Sequence, residues 1–276
     1  MTKSGEEVRN LIRHVVISNI LQYKKKYGSK YGEIVICCDG RKYWRKEVFP
    51  YYKGDRKKSR DKSNLDWNLI FNMLDEMRTD LKTIFPYKVI HLDRAEADDV
   101  IATLCKWSQE NELGYGVFQE PQKMMIISSD HDFLQLQKFD NVDQFSPKIK
   151  KQLTMGKRDL YEKYITHIVK AGDDGIPNIL SSDDCIVTDG KRQTPVPSKR
   201  LEEFLERGKD ACLTDEEKSR WDRNEQLISF DFIPKDVEDE IISAYIDCKP
   251  NQDRMKLMTY LATKKCRLLL DELNNF

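Results

Sequence analysis

The chain has 276 residues, which suits one large domain or two intimately packed ones, and 34% of them are charged. Its 47 basic residues balance 47 acidic ones, so the zero net charge excludes a general polycation. No run of 18 apolar residues occurs and no signal peptide is apparent, so neither a membrane span nor export is expected.

Residues 5–27 read as a helix with Val8, Leu11, Ile12, Val15, Val16 and Ile20 on one face, stopped by Gly28. The apolar run 33–38 between Gly32 and Asp39-Gly40 reads as a buried parallel strand, with Cys37 and Cys38 facing opposite ways into core. A basic stretch follows at 41–62. Asp66 is placed to cap a helix over 67–84, ended near Pro86. Residues 88–91 form a short strand, and a helix runs from 96 to about 111, before a loop at 114–121. Residues 123–128 read as a second buried strand and 142–145 as a weaker one. From about 156 onward helices are expected at 156–170, 198–207, 214–226, 235–247 and 252–272, with Thr214 to Glu217 fitting a capping box. The pattern predicts an α/β fold with a mostly parallel sheet and helices on both faces, over residues 1–150, and a helical half over 151–276.

Cysteine and histidine spacing adds little chemistry. The seven cysteines form no C-x-x-C pair and imply free thiols in a reducing cytoplasm. The four histidines are scattered and suggest no zinc site.

Acids carry the functional signal. Glu96, Asp98 and Asp99 open a helix, where the macrodipole favours negative charge. Asp99 also suits a first-turn or capping role. Asp39 follows one apolar strand, and Asp130 and Asp132 follow another. Asp173 and Asp174 lie in the loop Gly172-Asp-Asp-Gly-Ile-Pro-Asn178. Carboxyl ends of strands are where α/β folds place their sites. Carboxylates that would repel one another there point to a hard divalent cation. Two such ions suit hydrolysis of a phosphodiester.

A basic segment stands beside these acids. Residues 41–62 hold ten Lys or Arg against three acids, interleaved with Tyr43, Trp44, Phe49, Tyr51 and Tyr52. A charge run is often a solvated face over inward-packed aromatics. Beside an acidic site, cations and aromatics in alternation instead suit the backbone and bases of a single strand. Arg41, Lys46, Arg56, Lys57, Lys58 and Arg60 are the candidate contacts.

The motifs Y-W-R-K…Y-Y-K (43–53), E-A-D-D (96–99), S-S-D-H-D-F (128–133) and G-D-D-G-I-P-N (172–178), in this order, resemble those of the 5′-nuclease superfamily, the flap endonucleases and phage ribonucleases H among them. The resemblance implies a PIN-like core, a helical arch near 41–65 and a helical duplex-binding half with a hairpin motif. It implies Mg²⁺-dependent 5′→3′ exonuclease and flap endonuclease action that removes RNA primers during DNA replication, with two Mg²⁺ ions, or Mn²⁺ in their place. Under it Asp39, Glu96, Asp98, Asp130 and Asp132 are metal ligands, joined by Asp173 or Asp174. Arg45 and Lys53 contact the scissile phosphate, and Tyr52 carries the terminal base. Gly172 and Gly175 belong to a turn that grips duplex backbone. The implied partners are DNA and RNA–DNA hybrid at a 5′ end or flap, a single-stranded-DNA-binding protein and a sliding clamp. The implied setting is a monomer in an infected bacterial cytoplasm.

The superfamily also has a first strand ending in a metal-binding Asp, and nothing before Gly5 can supply it. Either the chain continues upstream or it lacks a central strand and one ligand, a loss expected to open the sheet and weaken metal binding. A nucleic-acid-binding protein impaired in catalysis is therefore the competing expectation. A different Mg²⁺-dependent phosphotransferase fits less well, since no G-x-x-x-x-G-K-[ST] loop is present.

Overall fold

A computed structural model describes residues 5–109 and 121–276, with the backbone alone at 57–59. The residues before Gly5, the expected loop at 114–121 (Pro121 excepted), the end of the preceding helix and the side chains of Lys57 and Lys58 lie outside the described residues. Among the described residues no helix is long and apolar enough to cross a membrane.

The α/β reading holds, and the sheet is divided into two ladders. Strands β1 (Val35–Cys38) and β2 (Lys88–His91) pair in parallel, with Cys38 opposite His91. Strands β3 (Met124–Ile127) and β4 (Val142–Ser146) also pair in parallel, and β4 takes an antiparallel partner, β5 (Lys151–Leu153), that no apolar pattern announced. Among the described residues the ladders are not hydrogen-bonded to each other. Cys37 packs with one core cluster and Cys38 with another, as alternation along a strand requires.

Helix α1 (Gly5–Tyr31) runs past Gly28, which remains helical, a Cβ there meeting only the Lys24 side chain at 3.7 Å. The chain turns at Gly32 instead, at φ 86°, a conformation glycine adopts without strain. The buried face of α1 is Arg13, Ile17 and Leu21; Leu11 and Val15 are exposed. This face differs from the expected stripe because Ile17 and Leu21 pack with Met77 and Leu81 of α4 (Trp67–Ile84), with Val16 and Ile20 partly buried beside them. Helix α4 is capped by Asp66, whose Oδ1 accepts from the Leu69 amide at 3.0 Å. It buries Met73, Met77 and Leu81 along one face.

Helix α5 (Ala97–Trp107) sits at the centre. Its Val100 and Leu104 join Ile90, Ile126, Phe133 and Val237 in the main core. Two short helices, α2 (Trp44–Val48) and α3 (Arg56–Asp61), occupy the basic segment.

Helices α6 (Lys157–Lys170), α7 (Ser198–Arg207) and α8 (Asp215–Ile228) share a core of Ile165, Ile168, Phe204 and Trp221. Helix α9 (Lys235–Asp247) returns to α5, and α10 (Arg254–Thr263) returns to α1 and α4. The single helix expected over 252–272 stops at Thr263. Lys265 adopts φ 57°, and the chain folds back so that Cys266 is buried and donates its amide to Leu261 O at 2.9 Å.

Candidate metal and nucleic-acid site

Gly40 sets the entrance to the site. A Cβ there would lie 2.1–2.7 Å from the carbonyl oxygens of Leu92, Asp93 and Ala95, so only glycine lets the two segments touch. Its amide donates to Ala95 O at 2.8 Å. That approach carries Asp39 to the first turn of α5, where its Oδ1 accepts from the Ala97 amide at 2.9 Å. The positive end of the helix dipole thus helps hold this acid at the strand end.

The three acids that open α5 have three different environments. Asp99 is fully buried; it accepts from Trp44 Nε1 at 3.1 Å, Arg45 Nη1 at 2.7 Å and the Glu96 amide at 2.9 Å. It is a capping and anchoring residue. Glu96 is 1% exposed and accepts from Arg45 Nη1 at 3.0 Å, the Tyr52 hydroxyl at 2.9 Å and Lys53 Nζ. Asp98 faces the cleft. Burial, then the charges of Asp130 and Glu96, push its carboxyl up to about 7 against the opposing pull of Lys53.

Two site residues from the basic segment are placed differently from the sequence expectation. Arg45 is 3% exposed and committed to Glu96, Asp99 and Leu227 O, so it does not present a guanidinium to a phosphate in this arrangement. Tyr52 is buried under Phe49, Ile176, Leu227 and Ile228, with its hydroxyl on Glu96, so its ring is not an open platform for a base. Both are drawn inward because the buried carboxylates need donors. Lys53 stays at the cleft edge, with Nζ also 3.4 Å from Asp174 Oδ2. Burial works to lower Lys53, and the charges of Glu96 and Asp174 outweigh it and hold its ammonium above the ordinary value.

The cleft itself holds about 1320 Å³ and is lined by Asp98, Asp130, Asp132, Asp173, Asp174, Lys53, Arg56 and His167. The turn after β3 is braced from β4: Gln144 Nε2 donates to Ser128 O at 3.1 Å and to Asp130 O at 2.6 Å. Asp130 Oδ1 accepts from the Asp132 amide at 3.0 Å. Asp173 and Asp174 separate clearly. Asp173 is exposed at the cleft, whereas Asp174, at φ 54°, turns its carboxylate to Lys53 and Arg56. Gly172 is exposed at φ 99°. Gly175 is buried, and a Cβ there would meet Tyr51 O, Lys53 N and Asp55 within 3.2–3.3 Å. The turn at 172–175 is therefore closed onto the basic segment, tied by the Lys53 amide donating to Asp174 O at 2.6 Å.

Of the remaining cations, Arg41 pairs with Asp75 at 2.9 Å, Lys46 lies over the Tyr43 ring and Arg60 over the Phe71 ring. Arg41 and Lys46 are exposed and border the acidic cleft's approach only through the segment they share with Lys53. Two residues escaped the sequence reading. Gln144 carries no motif, and only its burial inside a strand marks it. His167 lies on α6, with Nδ1 3.2 Å from Asp132 Oδ1. Burial lowers its pKa, yet the hydrogen bond and charge of Asp132, with Asp173 and Asp130, leave it raised.

The donor set fits a hard cation of the Mg²⁺ type. Among the described residues no three acids, histidines or cysteines are grouped so as to hold an ion unaided. Mg²⁺ needs only one or two carboxylates and keeps several waters. Asp98 and Asp130 are close enough for the charge of one to raise the other's pKa, which is the repulsion a cation relieves.

Residues 1–165 match the family described as 5′–3′ exonuclease, N-terminal resolvase-like domain, and residues 159–276 match T4 RNase H, C terminal. The ribonuclease H of Enterobacteria phage T4 is 32% identical over 97% of this chain and 87% of its own length. The T5 D15 protein co-crystallised with metal ions superposes with a TM-score of 0.62 at 18% identity, covering 88% of this chain and 95% of its own. A bacteriophage T5 D15 flap endonuclease complexed with DNA and metal ions gives 0.59 at 18%, covering 84% and 90%. At that identity the two structures show a shared fold.

Proposed function

From the premise that the chain belongs to the 5′–3′ exonuclease family and is a nuclease, we propose that it is a Mg²⁺-dependent 5′ nuclease using two ions, removing RNA primers and 5′ flaps during DNA replication. One observation carries the reading: acids from three separate segments, Asp98, Asp130 with Asp132, and Asp173, line one cleft edged by Lys53 and Arg56, and Asp39, held on the first turn of α5, adds its charge to that of Asp98.

Asp98 and Asp130 are the primary metal ligands in this proposal, with Asp39, Asp132 and Asp173 acting directly or through water. Divalent ions bound there would activate the attacking water and stabilise the leaving oxygen. Lys53 exchanges Glu96 and Asp174 for the scissile phosphate and neutralises charge developing on it. Glu96, relieved of Lys53 and still held by Arg45 and Tyr52, then turns its other oxygen to the metal site. Asp174 is the resting partner of Lys53 and Arg56. Arg41, Lys46, Arg60 and the segment 56–60 track the single-stranded 5′ end. Residues 157–228, within the helical half, grip the duplex, with Gly172 presenting backbone. The T5 flap endonuclease complexed with DNA and the phage T4 ribonuclease H support nucleic acid as substrate in a phage setting; a bacterial cytoplasm, a sliding clamp and a single-stranded-DNA-binding protein follow in this proposal from the motif resemblance alone.

A second reading, binding without cleavage, is favoured by the commitment of the Glu96 carboxylate to three donors. One assay separates the two: 5′-labelled RNA–DNA hybrid and 5′-flap DNA incubated with Mg²⁺ and with EDTA. Mg²⁺-dependent release of 5′ products supports the nuclease reading, and salt-sensitive binding with no product supports the second.

A further inference from the structure

We propose that His167 is a positioning residue of the metal site, holding the Asp132 carboxylate in its ligating orientation through an Nδ1–H hydrogen bond. This rests on the reading of Asp132 as a metal ligand. His167 Nδ1 lies 3.2 Å from Asp132 Oδ1, and both side chains line the same cleft. Among the described residues His167 is the only side chain within ion-pair distance of that carboxylate. Asp130 needs no such help. Its oxygen is held by the Asp132 amide and its backbone by Gln144.

The two partners belong to different parts of the fold. Asp132 begins a seven-residue 3₁₀ helix that buries Phe133, Leu134 and Leu136, while its own side chain stays half-exposed at the cleft. His167 lies on α6, one residue before Ile168 and Val169, both fully buried in the core shared with α7 and α8. The Ile168 carbonyl is itself held by Asn224 Nδ2 at 2.8 Å. The contact therefore ties the half-exposed Asp132 carboxylate to a helix anchored in a separate core, across the junction between the strand-end loop and the helical half. Lys163, one turn before His167 on α6, lies 3.5 Å from His131 Nδ1 and adds a second contact across the same junction. A carboxylate oriented by a neighbouring hydrogen bond binds its metal more tightly, and loss of such a partner lowers affinity by roughly 10–100-fold.

The test measures Mn²⁺ binding by calorimetry without nucleic acid, and Mg²⁺-dependent cleavage in parallel. His167→Phe keeps the ring volume and removes the donor; His167→Leu serves the same arm should the first not fold. His167→Asn places an amide N–H where Nδ1 stood. Asp132→Asn is the reference. The expected result is roughly tenfold weaker Mn²⁺ binding for His167→Phe and recovery to within about threefold for His167→Asn. Wild-type Mn²⁺ affinity in Asp132→Asn would overturn the ligand reading and the inference with it. A weakened Asp132→Asn beside an unaffected, folded His167→Phe would overturn the inference alone. Equal loss in His167→Phe and His167→Asn would overturn the hydrogen bond as its cause.

Discussion

Replacing Arg45 with methionine tests whether this residue anchors the fold or touches substrate. Its guanidinium is 3% exposed and spans Glu96 at 3.0 Å, Asp99 at 2.7 Å and Leu227 O at 2.8 Å. Removing one partner of a buried ion pair costs about 3–5 kcal/mol, because the other charge is left in a low-dielectric interior. Here the stranded acids keep donors: Asp99 retains Trp44 and the Glu96 amide, and Glu96 retains Tyr52 and Lys53. The loss should therefore fall at the low end, about 3 kcal/mol, or roughly 6 °C in Tm at about 2 °C per kcal/mol for a chain of this size. Urea and thermal unfolding followed by circular dichroism measure it. Adding Asp99→Asn, which discharges the stranded acid, should recover about 1 kcal/mol or more. A variant that unfolds like wild type yet no longer cleaves would refute the anchoring role and return Arg45 to the phosphate.

Asp98, raised from 3.8 to about 7, holds a proton in the folded chain at pH values where the unfolded chain has released it. Metal-free stability should therefore fall as pH rises from about 4 to 7 and stay low above that, by up to about 4 kcal/mol. Melts in EDTA at pH 5.5 and 8 show it, and Asp98→Asn should melt higher than wild type at pH 8; a flat profile in both proteins counts against the crowded-carboxylate account. Gly40→Ala forces a methyl into three carbonyl oxygens and should cost about 2–3 kcal/mol while weakening Mn²⁺ binding through the displaced Asp39. Asp173→Asn should impair metal binding more than Asp174→Asn, which calorimetry with Mn²⁺ decides; the reverse order exchanges their assignments. Lys53→Ala should slow single-turnover cleavage by roughly 100-fold with little change in flap-DNA affinity, as loss of a charge-stabilising donor predicts.

Strong periodicity made most of the fold legible. The helix over 67–84 and the strand over 88–91 appear with the expected bounds, since each carries its own cap or punctuation in Asp66 and Pro86. Errors arose where a long-range contact overruled a local signal. Gly28 reads as a stop, yet α1 continues until Gly32, where the turn toward β1 needs a positive φ. Leu11 and Val15 read as core, yet the packing of Ile17 and Leu21 against Met77 and Leu81 turns another face inward. Strand β5 has no apolar pattern, because its pairing with β4 alone makes it a strand.

The same physics explains why the acids were legible as a group and not as individuals. Their positions at strand ends and helix starts are properties of the local chain. Their roles depend on which cations the fold brings beside them. Arg45, Tyr52 and Lys53 are 43–51 residues from Glu96 in sequence, and their convergence turns one acid of a cluster into a neutralised, buried group. Asp98, two residues away, meets no such donor among the described residues and bears the repulsion of Asp130 instead. Adjacent carboxylates in one motif are thus sorted by side chains that the motif does not contain. Asp99 caps, Glu96 waits on Lys53, and Asp98 is left with the unbalanced charge that a divalent cation would satisfy.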